Sequence, residues 1–83
     1  MKKIVSKKDV IKVIAKSLGV SEKKINEKTS SKNSDKWDSM SHLTILISLD
    51  KMLSGKAQKI QELSNAYSVK KILKILSKKK LLK

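Results

Sequence analysis

Residues Asp35 to Leu53, Asp-Lys-Trp-Asp-Ser-Met-Ser-His-Leu-Thr-Ile-Leu-Ile-Ser-Leu-Asp-Lys-Met-Leu, decide how this chain folds. The first residues of the stretch are polar and typical of a turn. From Met40 onward the sequence is the most apolar in the protein and has no glycine or proline until Gly55. Apolar residues recur at helical spacing in this part. The pattern predicts a helix from about Ser39 to Leu53 that ends at Gly55.

Two polar side chains stand where the turn meets this helix. Either Asp38 or Ser39 can accept a hydrogen bond from the free N–H groups of a first helical turn. The sequence leaves open which of them is the cap. In both cases one serine hydroxyl lies beside a carboxylate at the N-terminus of a long apolar helix.

The apolar residues of this helix cover an unusually wide arc. We expect the core stripe to consist of Leu43, Leu46, Ile47 and Leu53. Ile45, Leu49 and Met52 widen the arc, and Met40 borders its start. A helix that is apolar nearly all round is either central to the fold or presents a binding patch. We favour a mostly buried helix and keep the exposed patch as the alternative.

Two more helices have clear start and stop signals. Ser6 is a candidate cap for a helix from Lys7 to Leu18, which Gly19 would end. Ser68 is a candidate cap for the last helix. The predicted stripes are Val10, Ile11, Ile14 and Leu18 in the first helix and Val69, Ile72, Leu73 and Leu76 in the last. A short helix over about Gln58 to Asn65 would carry Ile60 and Leu63.

A long polar segment, residues 20–37, joins the first two helices. Such a loop needs apolar anchors in a small domain, and Val20, Ile25 and Trp37 can supply them. Since no stretch shows strand alternation, we predict an all-α fold, a small bundle of three longer helices and one short helix. The whole chain, 1–83, forms one domain, with 1–6 and 78–83 as frayed termini.

The composition limits the chemistry of the chain. Its 83 residues include no cysteine, which excludes disulfides and thiolate metal sites, and a single histidine does not make a stable metal site. No apolar run approaches the ~20 residues that span a bilayer. The N-terminal residues lack the apolar stretch of a secretory signal. We therefore expect a cytoplasmic monomer with no transmembrane segment.

The sequence Trp37-Asp38-Ser39-Met40 resembles the prosthetic-group site of the acyl carrier protein family. The position of the serine adds to the resemblance, because it lies near the middle of a chain of carrier length, after a long loop. The resemblance covers roughly residues 7 to 77. The form Trp-Asp-Ser, with His42 three residues after the serine, is similar to stand-alone carriers of specialised pathways. It implies the four-helix fold of that family.

The resemblance also implies a function. A phosphopantetheinyl transferase would move phosphopantetheine from coenzyme A onto Ser39, and Asp38 would help to hold the Mg²⁺ used in the transfer. The holo form would carry acyl or aminoacyl groups as thioesters, whereas the apo form lacks the arm. The protein would itself catalyse nothing. Its further partners would be an acyl- or aminoacyl-activating ligase and acyl-transferring enzymes, and the cargo and pathway stay open.

Around the serine we expect a partner-binding surface. Its predicted residues are Trp37, Met40, His42, Ile45 and Ile47, with His42 solvated or at the interface. The chain departs from typical carriers in one respect, because they are acidic and it carries a net charge of +14 from 21 lysines, no arginine and seven acids. We therefore expect partners with acidic or apolar docking faces.

The same charge supports two alternatives. A small basic helical protein could bind nucleic acid, although the absence of arginine argues against specific base reading. One tryptophan, one tyrosine and no phenylalanine leave little for base stacking. The C-terminal segment from Val69 to Lys83, taken alone, is typical of a cationic amphipathic helix at a membrane surface. Its apolar stripe is also what the last helix of a bundle needs.

Overall fold

The computed structural model describes residues 4–83. Its α-helices are α1 (Lys7–Leu18), α2 (Ser39–Met52) and α3 (Val69–Lys78). Three short 3₁₀ segments, Glu22–Lys24, Ala57–Lys59 and Gln61–Asn65, lie between them. Within the described residues, β pairing is limited to two isolated bridges, Val5 with Leu82 and Ser30 with Ser68. The fold is therefore all-α and small, as predicted, with three α-helices and 3₁₀ segments in place of a fourth helix.

The first helix agrees with its sequence signals. The Ser6 hydroxyl accepts from the Asp9 N–H at 3.1 Å, and the Asp9 carboxylate accepts from the Ser6 N–H at 3.0 Å, which is a reciprocal capping box. Gly19 ends the helix in the left-handed region, with φ of 71°. α1 packs against both α2 and α3 and buries Val10, Ile14, Ala15 and Leu18. This helix is the partner that both other helices share.

The segment from Ala57 to Ala66 is not the short α-helix that we predicted. Hydrogen bonds there join residues three apart, such as Leu63 N–H to the Ile60 carbonyl at 3.1 Å. The buried side chains recur at every third position: Ala57, Ile60, Leu63 and Ala66. A 3₁₀ helix has three residues per turn, so this period keeps all of them on one side. Packing against α2 therefore selects 3₁₀ turns over an α-helix.

The predicted fraying of the termini is wrong for the described residues. The Val5 N–H donates to the Leu81 carbonyl at 2.8 Å, and the Lys83 N–H donates to the Val5 carbonyl at 2.8 Å. Val5 and Leu81 are both buried in the core. The chain can reach this position because Lys80 adopts a left-handed φ of 61° just beyond α3. Residues 1–3 of the predicted frayed N-terminus lie outside the described part of the chain.

The loop between α1 and α2 is anchored as predicted. Ile25 and Trp37 are buried and Val20 packs against the core. Thr29 adds an anchor that the sequence did not suggest, since it is buried and its carbonyl accepts from the Val69 N–H at 3.0 Å. This contact ties the loop to the start of α3.

The orientation of α2 differs from the prediction. Its inward side carries His42, Ile45 and Leu49, followed by Leu53 just after the helix. Of the predicted stripe, Leu43 and Ile47 are 56% and 50% exposed, and Leu46 is half-buried. Both sets of residues have helical spacing, so the wide apolar arc contained two competing stripes. The alternative of an exposed apolar patch is thus what the structure shows for one side of α2.

Candidate functional site

The cap of α2 is Asp38, and Ser39 is the first helical residue. The Asp38 Oδ1 atom accepts from the Ser41 N–H at 2.9 Å, while the backbone of Asp38 is extended. Ser39 is exposed to solvent. Because the carboxylate already serves as the cap, the structure does not need the Ser39 hydroxyl for helix initiation. That hydroxyl is accessible at the positive end of a 14-residue helix.

The Asp38 carboxylate is held in its charged form. The hydrogen bond from the Ser41 N–H lowers the pKa of Asp38 below the ordinary value of 3.8. At neutral pH an ionised carboxylate therefore stands beside the exposed serine. A hard cation such as Mg²⁺ is bound by oxygen ligands of this kind, most often together with phosphate oxygens from a substrate.

Behind this junction lies a buried aromatic cluster of Trp37, His42 and Tyr67. The Trp37 indole N–H donates to His42 Nδ1 at 3.0 Å, and His42 Nε2 lies 2.9 Å from the Leu63 carbonyl oxygen. The rings of His42 and Tyr67 stack with centroids 4.1 Å apart. Trp37 and His42 are each only 2% exposed. The cluster joins the end of the loop, the first turn of α2 and the 3₁₀ segment Gln61–Asn65.

The structure corrects three of the five predicted contact residues. Trp37, His42 and Ile45 are buried, so their side chains do not reach the surface that a partner would meet. His42 is not solvated, because both of its ring nitrogens face partners inside the protein. Met40 and Ile47 are exposed, Met40 to 77%, and remain candidates for contact with a partner.

One contact candidate, Leu43, was missed. It was placed in the core stripe, but it is more than half exposed and lies between Met40 and Ile47 in sequence. Ser39, Leu43 and Ile47 follow one another at four-residue steps and so share one side of α2. The four-residue spacing of Leu43 from Ser39 was visible in the sequence and indicates that both lie on one side of the helix. We refer to Met40, Leu43 and Ile47 as the apolar row.

Beside the apolar row runs an open groove of about 690 Å³ between α2 and the 3₁₀ segments. Its apolar walls are formed by Leu43, Leu46, Ile47, Ala57, Ile60 and Leu63. Gln58, Gln61, Ser64 and Asn65 provide polar groups along the same groove. The exposed serine therefore lies at the N-terminal end of α2, and an apolar surface extends from it along the helix.

The carboxylates of Asp38 and Asp50 each accept one hydrogen bond from the backbone. Asp50 Oδ1 accepts from the Gln58 N–H at 3.0 Å, just as Asp38 accepts from Ser41. In the described residues one ion pair is found, Lys7 with Glu27 at 2.6 Å, and it is exposed. Its ammonium group lowers the pKa of Glu27. Most lysines are thus not neutralised, and the surface is strongly basic.

Two further properties of residues 4–83 bear on the predicted chemistry. They contain no group of three or more histidine, aspartate or glutamate side chains placed to hold a metal ion. None of their helices combines the length and the apolar character that crossing a bilayer requires.

Comparisons of the chain with protein-family models, with curated proteins and with known structures find no match. The case for a function therefore depends on the residues around Ser39 and on their geometry.

Proposed function

We propose that this protein is an acyl carrier protein in which Ser39 bears phosphopantetheine. The proposal is supported by the different roles of two neighbouring side chains at the start of α2. Asp38 caps the helix, and this leaves the neighbouring hydroxyl exposed and without a structural task. A serine that served only as a cap would instead point its oxygen at the N–H groups of the first turn.

The surroundings of Ser39 suit a phosphodiester. The N-terminus of a helix attracts a phosphate through its free N–H groups and its dipole. Asp38, with its lowered pKa, supplies a charged oxygen for the Mg²⁺ that the transfer from coenzyme A uses. The Ser39 hydroxyl would give its proton to a base of the transferase, and its oxygen would bond to the phosphorus attached to pantetheine. The pyrophosphate P–O bond of coenzyme A would break, and adenosine 3′,5′-bisphosphate would leave with the electron pair of that bond. Once attached, the arm supplies the thiol that forms thioesters.

The apolar row gives the proposal a docking surface beside the modified serine. Met40, Leu43 and Ile47 leave large apolar side chains in solvent, which marks a contact site on a small monomer. Only two acids, Asp38 and Asp50, lie at or within α2, and each accepts a hydrogen bond from a backbone N–H, while the chain carries 21 lysines against seven acids. Partner enzymes would therefore meet this surface with apolar or acidic groups, and the lysines would mainly raise the rate of encounter.

The carrier function is tested by intact mass. The protein is incubated with coenzyme A, Mg²⁺ and a broad-specificity phosphopantetheinyl transferase. We expect the mass of one phosphopantetheine to be added to the wild type and to Ser41→Ala, and not to Ser39→Ala. Ser41 is a matched control because it lies in the same helical turn. Absence of any addition with several transferases, on protein shown to be folded, would reject the proposal.

The role of Asp38 is separated from its capping by a pair of variants. Asn caps a helix as well as Asp does, but it lacks the charge. We expect Asp38→Asn to keep most of the thermal stability of the wild type, since the cap hydrogen bond is retained, and to slow the transfer, most clearly at low Mg²⁺. Asp38→Ala should lose both stability and transfer. Equal transfer rates in Asp38→Asn and the wild type across Mg²⁺ concentrations would limit Asp38 to capping.

The two alternative functions, nucleic-acid binding and membrane-surface binding, predict different experimental results. A nucleic-acid-binding protein would bind duplex DNA with a steep loss of affinity as salt rises. Base stacking needs exposed aromatic side chains. Within the described residues Trp37 is buried and Tyr67 is half-buried, so neither offers a fully exposed ring. A membrane-surface protein would need its C-terminal leucines in the bilayer, whereas Leu81 is buried in the core.

A further inference from the structure

We infer that His42 is the positioning residue for Ser39: it holds Trp37 and thereby fixes the chain that enters α2. The geometric role of His42 follows from its contacts in the structure. The effect of His42 on the modification of Ser39 rests on the proposed carrier function. Nothing in the expected chemistry of a carrier uses a buried histidine. Yet this one has a partner on each ring nitrogen and an aromatic ring stacked on its face.

The hydrogen bonds define the state of the ring. An indole N–H can only donate, so His42 Nδ1 must accept from Trp37. A neutral imidazole has one donor and one acceptor, and Nε2 therefore carries the hydrogen and donates to the Leu63 carbonyl. The ring is thus the neutral Nε2–H tautomer, and both of its nitrogens are satisfied away from water. An aliphatic side chain in its place would leave the buried indole N–H without a partner, whereas the Leu63 carbonyl would keep its hydrogen bond from the Ala66 N–H.

The cluster connects four parts of the fold. Trp37 belongs to the loop, His42 to α2, Leu63 to a 3₁₀ segment and Tyr67 to the residues before α3. Tyr67 in turn accepts through its carbonyl from the Ser31 N–H at 2.9 Å. His42 therefore ties α2 to elements that are distant in sequence and do not belong to its own helix.

The link to Ser39 follows from the anchoring of the loop. Between residues 26 and 38 only Thr29 and Trp37 are buried, and Trp37 lies two residues before the serine. The direction in which the chain reaches Asp38 is therefore set by where the indole is held. Without the hydrogen bond to His42, the loop end and the cap would gain freedom, and the Ser39 hydroxyl would no longer keep one position. Misplacement of a reacting group by about 1 Å can cost on the order of 100-fold in rate.

The test compares three variants at the cluster with one control in the core. His42→Phe keeps a ring against Tyr67 but removes both polar contacts. Trp37→Phe removes the indole donor. His42→Asn keeps an acceptor near the position of Nδ1 and serves as the conservative rescue. Ile72→Val lowers core packing at a fully buried site of α3 and leaves the hydrogen bonds of the cluster in place. All four are measured under conditions in which urea titration shows them to be folded.

Two readouts are taken from each variant. The first is hydrogen exchange in the unmodified protein at the amides of residues 41 and 42, which donate to the Asp38 side chain and to the Asp38 carbonyl. The second is the kinetics of phosphopantetheine transfer. We expect faster exchange at these amides and a kcat about tenfold lower, with little change in KM, for His42→Phe and Trp37→Phe. His42→Asn should recover much of both, and Ile72→Val should leave both unchanged once its global stability is taken into account.

The outcomes separate this inference from the proposed function. If the exchange of these amides in His42→Phe rises only as much as in Ile72→Val, His42 is an ordinary core residue and the inference is overturned. If exchange rises at the start of α2 while even the wild type takes no phosphopantetheine, the geometry holds and the carrier function fails. A fall in kcat/KM carried by KM alone would also overturn the inference, because it would indicate damage to docking and not to the position of the serine.

Discussion

Helices α2 and α3 are similar in apolar content but differ in how well their sequences define an inward side. In α3 every predicted core residue is buried, namely Val69, Ile72, Leu73 and Leu76, and the lysines between them are exposed. In α2 the predicted stripe of Leu43, Leu46, Ile47 and Leu53 contributes one fully buried residue, Leu53. Lysines mark the outer side of α3, whereas the outer side of α2 is apolar.

Charged residues, more than apolar ones, therefore identify the side of a helix that faces water. Lys70, Lys71 and Lys74 exclude every orientation of α3 but one, because burial of an unpaired charge is costly. The interior of α2 has only Asp50 and Lys51 as charges, both near its end. Its orientation is consequently decided by the surfaces of α1 and the 3₁₀ segments, and the apolar row is left outside.

The largest expected effect comes from two isoleucines of α2 that lie two residues apart. Ile45 is fully buried and Ile47 is half exposed. We expect Ile45→Ala to lower the free energy of unfolding by about 2–5 kcal/mol. Ile47→Ala should lower it by less than about 1 kcal/mol, since much of its side chain is already in water. Urea titration of both variants measures the difference, and similar losses would show that α2 is not oriented as described.

The next effect concerns the serines at the starts of α2 and α3. The Ser68 hydroxyl accepts from the Lys71 N–H at 3.1 Å and is a true cap. Ser68→Ala should cost about 1 kcal/mol of stability. Ser39→Ala should cost less than about 0.5 kcal/mol, because Asp38 is the cap of α2. Thermal unfolding followed by circular dichroism measures both, and a larger loss for Ser39→Ala would return the capping role to Ser39.

Acid should affect the starts of α1 and α2 and spare that of α3. Hydrogen bonds from the Ser6 and Ser41 N–H groups lower the pKa of Asp9 and of Asp38 below 3.8. The charged carboxylates are therefore favoured in the folded state, and their stabilisation is complete above pH 3.8 and is lost as the pH falls through the lower folded values.

Stability measured by urea titration from about pH 6 down to about pH 2.5 should thus fall less steeply in the double variant Asp9→Asn/Asp38→Asn than in the wild type. Asparagine keeps the capping of α2 while removing its titration. Ser68→Ala, whose cap does not titrate, is the control and should keep the slope of the wild type. Parallel pH profiles for all three proteins would contradict the capping roles of the two aspartates.

The smallest expected effect is that of salt. With a net charge of +14 and a single ion pair among residues 4–83, repulsion among the lysines opposes folding. Screening at ~0.1 M salt acts over about 10 Å and should weaken this repulsion. We therefore expect the melting temperature to rise between low and moderate salt. A flat or falling melting temperature would show that the lysines are too far apart, or too well solvated, to matter.

Some features of the candidate site could be predicted from the sequence and others could not, depending on whether they arise from neighbouring or from distant residues. Only the structure showed that Asp38 is the cap and Ser39 is exposed, but a serine beside a carboxylate at a helix start could be read from the sequence, because capping chemistry is local. The burial of His42 could not, since its partners are Trp37 in a loop, Leu63 and Tyr67. A signal existed in its spacing, as His42 stands three residues before Ile45 and seven before Leu49, in phase with the buried side.

Features that depend on short-range interactions follow from the local sequence. These are the start and end of α1, the starts of α2 and α3, the inward side of α3 and the anchoring of the loop by Ile25 and Trp37. Helix caps and charge patterns act within one or two turns, so a local reading of the chain contains the physical cause.

Three features depend on packing between distant parts of the chain. They are the apolar stripe of α2 that is buried, the 3₁₀ turns of residues 57–66, and the pairing of the two ends of the described residues. In each case the local sequence is compatible with two arrangements. The choice was made by the surface offered by another element: α1 and the 3₁₀ segments for Ile45 and Leu49, α2 for the segment around Leu63, and Val5 for Leu81. Burial is a property of the assembled core, and no single segment contains it.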